Sequence, residues 1–233
     1  MIDETFAKAV KVWRENFGAL ATAGLIAWAI PIALGLIVQL VAYAFGITDP
    51  QNIPYWAVII TSVASAALLN GFGIAANYAV RVGKREIREM AKTAWERVLE
   101  TSTALLFAVF PAITGTLLSL VVITLMGEAW AWLASLLSIV GILGSILVSL
   151  MPYQAAEHGW QGAMSKSIEV GKKVYITLLL LNIFYALVYI TILALFPNPE
   201  IGAGALMIID ILFLMHIRHQ TFFEVLDSVS ARE

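Results

Sequence analysis

The chain has 233 residues, 61% of them hydrophobic and only 13% charged, with a mean hydropathy of +0.87. A soluble domain is about a quarter charged, so water is excluded as the main solvent of this fold. The net charge of −2 offers no basic field to nucleic acid, and the absence of cysteine excludes disulfides, thiolate metal ligands and thiol catalysis.

The N-terminus reads Met-Ile-Asp-Glu, with no basic n-region and no small-residue cleavage site, so we expect no cleaved leader. Phe6, Val10, Trp13 and Phe17 then recur at helical spacing and predict an amphipathic helix. About 20 apolar residues cross a hydrocarbon core as a helix, and six runs meet that length. They are 18–46, 55–79, 102–126, 129–152, 174–196 and 201–223. The first contains Pro31, which predicts a kink or a steep tilt. None shows the short alternating pattern of membrane-spanning strands.

Charge predicts the orientation. All 14 Lys and Arg lie before the first run, between runs two and three, between runs four and five, or in or after run six. Segments 47–54, 127–128 and 197–200 hold none. The positive-inside rule therefore puts both termini and the basic segments on the cytoplasmic side of the cell membrane.

Residues 84–100 repeat the amphipathic pattern through Ile87, Met90, Ala91, Ala94, Trp95, Val98 and Leu99, and Trp160, Ala163, Met164, Ser167 and Ile168 repeat it more weakly. Each such segment reads as an elbow helix in the membrane interface, the alternative being a cytoplasmic extension of the next span. Ala9, Trp13 and Phe17 align with Ala91, Trp95 and Leu99, and with Ser167, Gly171 and Tyr175. The expected fold is thus all-α and integral to the membrane. It is a single domain over 1–233, with six transmembrane helices as three hairpins, each preceded by a cytoplasmic amphipathic elbow helix. The repeat units are about 3–80, 84–152 and 158–226, in parallel orientation.

Three stretches carry a likeness to known proteins: Phe6–Gly18, Met151–Ser167 and Arg218–Leu226. The first is an amphipathic lead into span one. The second leaves span four with an acidic residue, a Gly and a small-residue elbow ending in Ser. The third leaves span six with Thr before aromatics. In these the chain resembles the glycerophosphodiester phosphodiesterase membrane-domain family and its uncharacterised six-span prokaryotic relatives. Some of those relatives carry a fused soluble phosphodiesterase domain. These 233 residues show none, so the relatives' catalytic activity is not carried over, and the likeness implies a membrane bundle suited to anchoring, lipid contact or transport.

Asp210 is the sharpest polar feature, about nine residues into span six and so roughly 14 Å from its outer boundary. A charge there costs on the order of 2.5–3.5 kcal/mol to insert. No Lys or Arg lies near mid-bilayer to pair with it, and Arg218 is about two turns nearer the cytoplasm. Asn182 in span five falls at similar depth, so we expect Asp210 to bond Asn182. The pair serves either as interhelical glue or, with Asn70, as an intramembrane polar site on a proton or cation path. Asn70, Gly71, Gly73 and Asn77 predict close helix packing in span two, against the alternative of a broken helix lining a cavity. Gly141, Ser145 and Ser149 predict a second packing face.

His216 and His219 at i and i+3, with Glu157, are weak candidates for a metal site, and otherwise snorkel at the interface. There is no G-x-S-x-G or H-E-x-x-H motif, so neither a catalytic residue nor a cofactor is expected. Two functions follow from the sequence. The first is a non-enzymatic multi-pass membrane module that binds lipid or anchors and assembles with partner subunits or further copies of itself. The second is a small transporter or channel using Asp210.

Overall fold

The computed structural model describes residues 2–231. They are almost entirely helical, with no strand. The helices are α1 (Ile2–Glu15), α2 (Phe17–Ala44), α3 (Tyr55–Arg81), α4 (Ile87–Met126), α5 (Ala131–Leu147), α6 (Met151–His158), α7 (Ala163–Ala194), α8 (Pro199–Ile209) and α9 (Met215–Ser230). A π-helical segment, Asp210–Leu214, joins α8 to α9. Six stretches are long and apolar enough to cross a membrane: α2, α3, α4, α5 with α6, α7, and α8 with α9. Their large apolar side chains point outward, as at Leu25, Ile60, Leu117, Val140, Leu187 and Ile208. This fits a multi-pass membrane protein.

Local chemistry sets most boundaries. In α1, Asp3 and Glu4 in the first turn and Arg14 in the last complement the helix dipole. Asn16 leaves helical geometry at φ −123° and separates α1 from α2. Asn198 caps α8 by accepting the Glu200 N–H at 2.8 Å, and Pro199 occupies a first-turn position where its missing N–H is not needed.

Two expectations need correction. Residues 84–100 are not a separate elbow. Nothing between Ile87 and Met126 breaks the helix, and α4 runs through unbroken. The run at 129–152 is not one helix either. It breaks after Leu147 and resumes at Met151, with Pro152 in the first turn of α6. The third amphipathic segment is continuous with α7, marked off by a kink at Val174 (φ −122°).

The membrane-length helices pack in chain order: α2 on α3, α3 on α4, α4 on α5, α5 on α7, and α7 on α8 and α9. The π-helical segment then packs on α2 and closes the series into a ring. At this seam Gly24 lets α2 approach so closely that any Cβ there would overlap the Ile211 carbonyl. Trp28 Nε1 donates to Asp210 Oδ2 at 3.2 Å, and Trp13 Nε1 of α1 donates to the Leu212 carbonyl at 2.8 Å. A π-helical turn displaces backbone carbonyls from their usual partners. Here Trp13 and the His216 ring (Nε2 to the Ile211 carbonyl, 3.1 Å) take up two of them. Helix α1 lies across α9, with Trp13 edge-on to Phe213 and Phe6 reaching Phe184 of α7.

Candidate functional site

Five helices fence a central cavity of about 850 Å³. Around it α3, α4, α5, α7 and α9 each pack on the next, and α9 packs back on α3. Helix α6 packs on α3, α4 and α7 and closes the end nearer Arg81, called here the basic end. Lining side chains close to that floor, such as Ile74, Tyr153, His219 and Phe222, are buried, whereas Val63, Val109, Ile113 and Ile183, farther up, are exposed. The cavity therefore widens away from the floor.

Most of the wall is apolar. Polar groups gather toward the floor: Asn70, Ser149, Tyr153, Arg218 and His219, with Ser145 and Asn182 slightly above. Arg218 leaves α9 on the cavity side. Its Nη2 donates to Asn70 Oδ1 at 2.5 Å, and its guanidinium lies 6.0 Å from the centre of the Tyr189 ring. Among the described residues no carboxylate lies within ion-pair distance of Arg218. It is the one Lys or Arg among the lining residues.

Outside the cavity, α3 and α9 are joined by a closed polar network. Asn77 Nδ2 donates to the Gly73 carbonyl at 2.8 Å and to His216 Nδ1 at 3.0 Å. Since His216 Nε2 faces the Ile211 carbonyl, it carries the proton and Nδ1 is the acceptor. Gln220 Nε2 donates to Asn77 Oδ1 at 3.0 Å, and Gln220 Oε1 accepts from Arg81 at 3.1 Å. Arg81 also pairs with Glu224 at 2.7 Å and with Asp227. Tyr153 stacks on Phe222 and shares a 3.0 Å hydrogen bond with His219 Nδ1, while His219 Nε2 has no partner among the described residues.

The predicted site residues divide. Asn70 and Asn182 line the cavity, but Asp210 does not. Asp210 is buried at the seam, where Tyr189 donates to Oδ1 and Trp28 to Oδ2. The expected Asp210–Asn182 bond is not formed. Asn182 donates instead to the Leu178 carbonyl of its own helix at 2.8 Å. His216 engages both ring nitrogens with protein groups, His219 engages one, and Glu157 faces His158 at 3.6 Å. No group of three or more potential ligands suited to a metal occurs among the described residues. Helix α3 is unbroken through Asn70–Asn77. Gly71 and Gly141 are packing positions, set against Ser102 and against the Pro111–Gly115 stretch of α4.

Sequence reasoning missed Arg218 as the cavity's cation and Tyr189 as the link between it and Asp210. The available signal was that Arg218 and Asn70 lie on runs six and two at similar distances from the basic end. Comparison with protein-family models, with curated proteins and with solved structures finds no match to this chain.

Proposed function

We propose that the chain is a non-enzymatic multi-pass membrane module that binds lipid, holding one apolar chain in the cavity fenced by α3, α4, α5, α7 and α9. The observation that carries this reading is the cavity itself, about 850 Å³, with mostly apolar walls and polar groups gathered toward one end. Its size falls in the range of roughly 300–1,000 Å³ typical of small-molecule sites. In this reading the basic end and both termini face the cytoplasm and the protein resides in the cell membrane. The gathering of Arg14, Arg81, Arg88 and Lys172 near one end of the helices, with no Lys or Arg in segments 45–54 and 195–200, supports that orientation. The likeness to the glycerophosphodiester phosphodiesterase membrane-domain family, with its implied role in anchoring, lipid contact or transport, agrees with it. Transport through Asp210 has less support, because both carboxylate oxygens are engaged at the seam and the residue lies off the cavity.

Native mass spectrometry after gentle extraction tests the reading. A lipid-sized adduct, one per chain, is expected on the wild type and is expected to be lost in Ala66→Trp and Ala186→Trp, which place an indole among the lining residues. A wild type that flies bare would refute it, and a stoichiometric protein subunit in place of lipid would move the function to assembly.

A further inference from the structure

We infer that the cavity selects a single-chain amphiphile with one negative charge, a long-chain carboxylate, and that Arg218 is the residue that recognises it. The inference rests on the lipid-binding reading above and adds the head chemistry.

The argument begins with what the walls cannot do. For a ligand already dissolved in a bilayer, moving its tail into an apolar cavity exchanges one hydrocarbon surface for another, so the tail gains little. Selectivity has to come from the polar end. There the cavity offers one formal charge, Arg218, and among the described residues no carboxylate is in ion-pair contact with it: Asn70 gives it a neutral acceptor, Tyr189 gives it a ring face, and Asp210 acts on it only from a distance. Asp210 stands beyond Tyr189, bonded to its hydroxyl, and is not in contact with the guanidinium. A cation in a low-dielectric site is costly unless it is paired, and a ligand carrying one negative charge removes that cost. The remaining guanidinium donors form a planar fork that matches the two oxygens of a carboxylate.

Position supports the same choice. Asn70 lies 11 residues before Arg81, the end of α3, so the head site is roughly 16 Å into the bundle from that end. A two-chain phospholipid would have to carry a large hydrated headgroup to that depth. A carboxylate is the smallest anionic head, and the walls above it are apolar, as a hydrocarbon chain requires.

The test measures binding of palmitate and of hexadecanol, equal in length but differing in charge, to wild-type protein in nanodiscs of neutral lipid. A hydrogen-bonded charge contact predicts that palmitate binds about tenfold to a hundredfold more tightly than the alcohol, and that Arg218→Gln abolishes the difference without weakening hexadecanol. The wild-type comparison needs no variant and stands even if Arg218→Gln fails to fold. Equal wild-type affinity for the two ligands would overturn the charge assignment and leave the lipid-binding reading intact. Binding of neither would overturn both. Tighter binding of a single-chain phosphodiester than of palmitate would overturn the carboxylate assignment.

Discussion

The network that joins α3 to α9 makes a quantitative prediction for Asn77→Ala. Asn77 is fully buried, and its amide serves His216 Nδ1 and Gln220 Nε2 at once. Truncation leaves the His216 acceptor without a partner, which costs about 1–3 kcal/mol for a buried group. Gln220 keeps its bond to the Asn77 backbone carbonyl at 3.2 Å, so its loss is partial. Alanine's better helix propensity returns about 0.5 kcal/mol. Interhelical hydrogen bonds in a membrane protein have averaged only about 0.6 kcal/mol, because the unfolded helices find other partners in the bilayer. Here two helices share one closed network with no exposed member at Asn77, His216 or Gln220, so we place the net loss above that mean, at about 1.5 kcal/mol. Equilibrium unfolding in mixed micelles, run as a double-mutant cycle with Gln220→Ala, measures it. The expected coupling is about 1 kcal/mol. A loss under about 0.5 kcal/mol with no coupling would refute the view that the network ties α3 to α9.

Three further outcomes follow from the geometry. Gly24→Val should force α2 off the Ile211 carbonyl at a cost of about 1–3 kcal/mol, with hydrogen exchange rising at 208–216 more than elsewhere; unchanged exchange there would contradict the seam. Asp210→Asn should keep the fold and lose about 1 kcal/mol, since one amide edge would then meet a donor, Trp28 or Tyr189; complete unfolding would show that the carboxylate carries far more. Arg81→Gln leaves the mostly buried Glu224 with only its 3.9 Å pairing to the exposed Lys8 and should cost about 2 kcal/mol, between the values for exposed and for buried pairs. Recovery of stability in Arg81→Gln with Glu224→Gln would confirm that the stranded carboxylate is the cause, and no recovery would exclude it.

The positions of the membrane-length helices were legible because length and hydropathy alone decide them: 18–46 is realised as 17–44, and 55–79 as 55–81. Breaks between helices were less so. Asn16 ends α1 and Val174 kinks α7, yet neither differs in type from residues that continue a helix elsewhere. The site was legible only in pieces. Asp210 and Asn182 were matched by depth, but a hydrogen bond also needs the right rotation about each helix axis. The π-helical turn at 210–214 resets that rotation for everything after it, and no composition rule announces such a turn. Arg218 was read only by its distance along span six; the face it occupies was set by packing.

Because the ring closes between α2 and the π-helical segment, these two meet only after the four membrane-length stretches between them have been made. On a ribosome that order has a consequence. Every wall of the cavity except α9 can be threaded and left to wait, while Arg218 arrives with α9 to meet Asn70 and Tyr189 already made. Until then the helices already made present an unfinished trough.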